Sequence, residues 1–359
     1  MLFRSSCLFR HRFGISVLSW GSVGGKLEGQ GPLGSYFDEI ETDSFCGQAS
    51  WEKAESIFQQ RALGYALERG GMGPEDVDLV LAGDLLNQCA ASNFALRNQP
   101  FSVAGLYAAC ATMGEGLALA AMLLQGGAAH VAAAVTSSHY CTAERQYRMP
   151  LPYGSQRCPT AQWTATASGC CILGRSGDGP YLTHATMGRV VDMGVNDECN
   201  MGGAMAPAAI DTLETLFRDT RTTPQDYDLI VTGDLGAIGH SVVKDLMARD
   251  GFNMDSRYTD CGLLLFDREK QDMHAGGVPR GGAVGGAIRR YYGLSVVFSL
   301  RRTAMRRGLT GAEVSINQLP AGAGVPFVHS HKHNEEIYGV ISGSGKAVID
   351  GETDRKSVV

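Results

Sequence analysis

Apolar residues in this chain fall into short runs closed by glycine, separated by longer stretches in which they recur at helical spacing. Residues 79–82 and 229–232 are apolar runs of strand length, each followed by Gly-Asp, as expected of a parallel strand buried on both faces. Ala54, Ile57, Phe58, Leu63, Tyr65 and Ala66 give residues 51–68 an apolar face, which predicts an amphipathic helix before the first run. Residues 206–218 predict a helix before the second. Residues 111–125 are apolar on nearly every side, with Glu115 the sole charge, so this helix should lie buried between layers. An apolar stretch over 101–109 leads to Cys110. Further strands are predicted over 130–136, 169–173, 181–186 and 262–266, and a helix over 241–249. Residues 25–34 are glycine-rich and read as loop.

The two apolar runs belong to a longer repeat. Pro-Glu-Asp-Val-Asp-Leu-Val-Leu-Ala-Gly-Asp-Leu at 74–85 returns as Pro-Gln-Asp-Tyr-Asp-Leu-Ile-Val-Thr-Gly-Asp-Leu at 224–235. Seven of the twelve positions are identical at an offset of 150 residues, and each copy follows a helical stretch. The chain therefore reads as two related α/β halves. By analogy with the first half, a buried helix and two strands should follow Gly277. Val-Pro-Arg-Gly-Gly-Ala-Val-Gly-Gly-Ala follows instead, a linker composition, so the second half reads as truncated. The expected organisation is a variable leader at 1–24, a first half at 25–180 and a truncated second half at 181–277. A junction at 278–300, a separate segment at 301–353 and a sequencing or assembly scar at 354–359 complete it.

A length of 359 residues suits two halves around a sizeable core, and 44% hydrophobic content with 47 glycines suits a packed α/β protein. A formal charge of -6 argues against a nucleic-acid partner, which needs a basic face. Ten cysteines include no Cys-x-x-Cys pair, and the adjacent Cys170 and Cys171 fit reduced thiols in a cytosol-like compartment. No apolar run is long enough for a transmembrane segment. Arg4, Arg10 and Arg12 punctuate the N-terminus, whose apolar core is too short for a signal peptide.

Duplicated βαβ halves with a cysteine opening a buried helix resemble the thiolase and ketoacyl-synthase fold. More closely, the chain resembles the sporulation stage V protein AD (SpoVAD) family. The likeness runs over about residues 22–277. It is carried by Gly-Pro-Leu-Gly-Ser-Tyr-Phe-Asp at 31–38, Leu-Ala-Gly-Asp-Leu-Leu-Asn-Gln at 81–88, Ala-Cys-Ala-Thr at 109–112 and Thr-Ser-Ser-His at 136–139. Thr-Ala-Glu-Arg-Gln-Tyr-Arg at 142–148, Met-Ala-Pro-Ala-Ala at 205–209 and Asp-Cys-Gly-Leu-Leu at 260–264 add to it. The resemblance implies duplicated αβαβα layers and non-enzymatic binding of dipicolinic acid, with no cofactor. It also implies work in dipicolinate uptake beside other stage V channel proteins, peripherally at the cytoplasmic face of the forespore inner membrane, and a possible homodimer. A second resemblance, to the first motif of a small cupin, rests on His329, His331, Glu336 and Gly343. Two imidazoles and a carboxylate on one strand face could share a metal, although a second cupin motif is absent.

Cys110 is the leading chemical candidate. A thiol at the first turn of a helix meets unpaired N–H groups that favour the thiolate, while a buried cysteine among alanines would act only as a small hydrophobe. Acyl transfer, as in the type III ketoacyl synthases, would also need a base and an oxyanion stabiliser. No histidine follows the second repeat strand until His240, and the place expected for an asparagine lies near Ala275 to Gly277. Asp84, Asn87, Ser137 and His139 follow predicted strands, where α/β sheets present ligand groups. Arg145 could pair with a dicarboxylate. Asp84 and Asp234 hold equivalent places in the repeat, so a turn role for them is at least as well founded as ligand contact.

Overall fold

The computed structural model describes residues 6–8, 15–147, 158–178, 180–197, 199–278, 298–300, 344–349 and 352–357. The first half opens with β1 (Ser6–Leu8), β2 (Ile15–Gly25), α1 (Lys26–Gly29) and β3 (Glu39–Glu41). It continues through α2 (Trp51–Gly70), β4 (Leu79–Gly83), α3 (Ala90–Leu96), β5 (Ser102–Leu106), α4 (Thr112–Gln125) and β6 (Val131–Ser138). Then come α5 (Tyr140–Tyr147), β7 (Trp163–Thr164) and β8 (Ala167–Gly174). A mixed sheet has the order β3-β2-β8-β6-β4-β5, with β4 parallel to both β5 and β6.

Alternation along these strands builds two cores. Val80, Ala82, Ala133, Val135, Cys170 and Ile172 face Phe58, Ala62 and Ala66 of α2, while Leu81, Ala132, Ala134, Cys171 and Leu173 face Met113, Leu117 and Leu124 of α4. No residue of α4 from Thr112 to Leu124 is exposed, as its all-round apolar pattern requires.

The second half supplies β9 (Tyr181–Leu182), β10 (His184–Thr186), α6 (Met201–Thr220), β11 (Leu229–Thr232), α7 (Gly236–Arg249) and β12 (Tyr258–Asp260). It ends with α8 (Cys261–Leu265), β13 (Gly277–Val278) and β14 (Phe298–Leu300). Here β11 lies between a parallel β12 and an antiparallel β14, in a sheet separate from that of β4.

The duplication holds beyond the repeated segment. Helices α2 and α6 are each 20 residues long and start 150 residues apart, at Trp51 and Met201. Each closes on a left-handed residue, Gly71 at φ 62° and Arg221 at φ 56°. Each is followed by a 3-10 turn, Pro74–Asp76 or Pro224–Asp226. In these turns Asp76 accepts from the Gly73 amide at 2.7 Å and Asp226 from the Thr223 amide at 2.8 Å.

Several expectations change. Residues 15–24, assigned to a leader, form most of β2, an eleven-residue strand paired with β3 and β8. Its Gly21 lies so close to α2 that a Cβ there would sit 2.2 Å from the Ala62 carbonyl oxygen. The glycine-rich stretch 25–34 contains α1. The strand expected over 262–266 is instead helix α8, because Asp260 caps it by accepting from the Gly262 amide at 2.9 Å. Residues 181–186 form two short strands that pair with β2 and β1. Both ends of the expected junction at 278–300 belong to strands, β13 and β14.

The chain divides into two compact units, Met1–Arg301 and Arg302–Val359. In the second, β15 (Ser344–Ile349) and β16 (Glu352–Ser357) form an antiparallel hairpin, so residues 354–357 of the expected scar lie in a paired strand. His329, His331 and Glu336 lie outside the described residues.

Candidate functional site

The C-terminal ends of β4, β5 and β6 carry most of the residues expected from the sequence, and the local backbone there is unusual. Gln88 at φ 60°, Cys89 at φ 52° and Ala109 at φ 47° are non-glycine residues in the left-handed region, which costs each of them roughly 1 kcal/mol. They occupy two 3-10 turns, Asn87–Cys89 after β4 and Ala109–Ala111 after β5. The first turn is tied to the end of β5, since the Cys89 thiol donates to the Leu106 carbonyl at 3.2 Å.

Cys110 is half-buried in the second turn, immediately before α4 begins at Thr112. Its position therefore matches the expectation of a thiol at a helix start. Thr112 is buried and closes the turn with one hydroxyl. Its Oγ1 accepts from the Ala108 amide at 3.1 Å and donates to the Ala109 carbonyl at 2.8 Å. The Thr112 methyl packs on Gly83 at the end of β4, where a Cβ would lie 2.4 Å from it.

Asp84 is buried and forms the floor of this region. Its carboxylate accepts from the Leu86 amide at 2.8 Å, the Ser92 amide at 2.7 Å and the Ser92 hydroxyl at 2.6 Å. Burial raises its pKa and these donors oppose the rise. Gln59 of α2 extends the network, donating to the Gly83 carbonyl at 3.2 Å and to Ser92 at 3.1 Å. Asn87 is exposed in the first turn.

Ser137 and His139 at the end of β6 are buried and committed to the protein. Ser137 donates to Glu55 at 3.1 Å, and Thr142 donates to the same buried carboxylate at 2.8 Å. The His139 ring accepts from the Cys141 amide through Nδ1 at 3.2 Å, so Nε2 carries the proton and donates to the Ser44 carbonyl at 2.8 Å. Burial depresses its pKa, outweighing the Ser44 bond. Neither nitrogen is left to take a proton from a thiol or to meet a ligand. Residue 145 lies in α5, directly after β6.

In the second half, the His240 ring stacks on Tyr258 with centroids 4.6 Å apart, and burial lowers its pKa. The place expected for an asparagine is a backbone joint. Ala275 accepts from the Ala237 amide at 2.7 Å, Gly276 has φ 109°, and β13 pairs with β7. Asp260 is a buried polar centre of this half. Fully buried, it accepts from Thr232 Oγ1 at 2.7 Å and from the amides of Leu235, Gly236 and Gly262 at 3.1, 2.9 and 2.9 Å. Burial still pushes its pKa up to about 6. Sequence reasoning missed Asp260, Thr112, Glu55 and Gln59. Only Asp260 had a legible signal, an acidic residue directly before an apolar run, as at a helix N-cap. Among the described residues, no group of three histidine, cysteine or acidic side chains could hold a metal.

Two layered halves, with a cysteine opening the buried helix of the first, make a thiolase-like fold. Solved structures share the fold. Cerulenin-bound OleA of Xanthomonas campestris matches with a TM-score of 0.57 at 13% identity, over 81% of this chain and 92% of that one. The 3-oxoacyl-(acyl carrier protein) synthase III, FabH, of Xanthomonas oryzae pv. oryzae matches at 0.55 and 14%, over 79% and 92%. The chain belongs to the stage V sporulation protein AD (SpoVAD) family, whose model matches residues 6–328. Stage V sporulation protein AD of Bacillus subtilis (strain 168) is 42% identical over 274 residues, covering 76% of this chain and 80% of that protein. The family match extends past both expected limits of the likeness, 22 and 277, and runs through residues 278–300. The cupin resemblance gains no support from it.

Proposed function

We propose that the chain binds dipicolinic acid without transforming it, and serves its uptake into the developing spore. The observation that carries this reading is a half-buried thiol at the opening turn of a buried helix, in a chain of the stage V sporulation protein AD family. Dipicolinate has two carboxylates flanking a ring nitrogen, and a helix start offers N–H donors to such an anion. In this reading Cys110 and Asn87 meet the ligand and Arg145, in the helix after β6, pairs with a carboxylate. Asp84, Ser137 and His139 hold the strand ends beneath it. Acyl transfer from Cys110 is less well supported, because His139 has both nitrogens engaged and His240 is stacked on Tyr258.

The partners in this reading are other stage V proteins of a membrane-associated channel complex, at the cytoplasmic face of the forespore inner membrane. Attachment would be peripheral, in keeping with the described residues, which include no helix long and apolar enough to cross a membrane. A homodimer is part of the same proposal. Strand β5 pairs on one side only among the described residues, carries no charge, includes the exposed Val103 and is followed directly by the exposed Tyr107. Such an edge favours pairing with a second copy. Isothermal calorimetry of the full chain should give a saturable heat with dipicolinate. A flat titration at protein concentrations suited to micromolar binding would refute the assignment.

A further inference from the structure

We propose that Thr112 is the positioning residue that presents the Cys110 thiol. This rests on the reading of Cys110 as the group that meets the ligand. The turn that carries Cys110 is held against its own preference, since Ala109 occupies the left-handed region at φ 47° without being glycine. Local bonds to the Thr112 hydroxyl hold this backbone at both ends, at the Ala108 amide and the Ala109 carbonyl. Two backbone bonds also close the turn, from the Ala111 amide to the Ala108 carbonyl at 3.0 Å and from the Thr112 amide to the Ala109 carbonyl.

Thr112 is itself fixed. Its methyl group lies against Gly83, which has no room for a side chain because a Cβ would meet both that methyl at 2.4 Å and the Leu106 carbonyl oxygen at 2.5 Å. Gly83 is pinned in turn by Gln59, which donates to its carbonyl at 3.2 Å. A line of contacts thus runs from the middle of α2, through the end of β4, to the turn of Cys110. The two groups of the threonine have separable tasks, packing for the methyl and turn closure for the hydroxyl. Valine would keep the shape and the backbone bonds but lose both hydroxyl bonds, whereas serine would keep the hydroxyl bonds and lose the methyl contact.

The test is the pH dependence of Cys110 alkylation by iodoacetamide in the full chain, followed by peptide mass spectrometry, with Cys199 as internal reference. Thr112→Val should slow Cys110 about tenfold near neutral pH and move the midpoint of its profile up by about one unit, as the thiolate loses the helix start. Thr112→Ser should stay within about twofold of the parent, and Cys199 should not change. Because Thr112→Val could simply unfold, Ala109→Gly supplies the second arm. Glycine adopts the left-handed turn without a clamp, so Ala109→Gly/Thr112→Val should recover most of the lost rate. An unchanged profile in Thr112→Val, equal losses in the serine and valine variants, or no recovery in the double variant would each overturn the proposal. The readout is thiol chemistry and involves no dipicolinate. A shifted profile together with a flat dipicolinate titration would retain Thr112 as the positioning residue and remove the ligand.

Discussion

Glu28 and His139 are both buried titratable residues, and they make opposite demands on pH. Glu28 accepts from the Thr166 amide at 2.9 Å, and burial pushes its pKa from 4.5 up to about 7. The folded state therefore prefers the protonated acid. Its contribution to stability is complete below pH 4.5 and is lost as pH rises through 7. Glu28→Gln, neutral throughout, should flatten the fall in Tm between about pH 5 and 8, an effect bounded at roughly 3 kcal/mol. Parallel slopes in variant and parent would contradict it. His139 is depressed below 6.5, so its contribution is complete above that value and is lost as pH falls. His139→Gln should accordingly show a shallower loss of Tm on the acid side than the parent, as read by circular dichroism at a series of pH values.

At the scale of elements, the paired helices allow an internal comparison. Both α2 and α6 end on a left-handed residue, but the first copy uses Gly71 and the second Arg221. An arginine there bears a steric cost that glycine avoids, so Arg221→Gly should stabilise the chain by about 1 kcal/mol in urea unfolding. Gly71→Ala should destabilise it by a similar amount, and opposite signs would refute the equivalence of the two caps. These helices and the strands after them were legible because their apolar spacing is regular and the sequence repeats. Strand β2 was not legible, since Ser16, Ser19, Gly21 and Ser22 interrupt its apolar residues, and at Gly21 the missing side chain lets α2 approach closely. Helix α8 was misread as a strand because five residues of Gly-Leu-Leu-Leu-Phe have no period long enough to separate the two. The side-chain cap of Asp260 decided the matter, and a tertiary network of that kind leaves little trace in linear spacing. The same holds at the site. The cysteine before a buried helix could be read directly, whereas the bonds that occupy Ser137 and His139 depend on Glu55 and Ser44, 82 and 95 residues away.

For the whole molecule, the edge of β5 that is unpaired among the described residues makes a prediction about assembly. The chain should sediment as a dimer, and Val103→Lys, which places a charge on the edge, should shift it toward monomer without lowering Tm. A monomeric parent would remove the homodimer. The central claim is that dipicolinate binds at the turn holding Cys110, and ligand protection tests it most directly. Alkylation of Cys110 by iodoacetamide would be timed with and without saturating dipicolinate, with Cys158 and Cys199, also half-buried, as references. The account predicts that dipicolinate slows Cys110 at least tenfold and leaves both references unchanged. Saturable heat with dipicolinate but no protection of Cys110 would place the ligand elsewhere and contradict it.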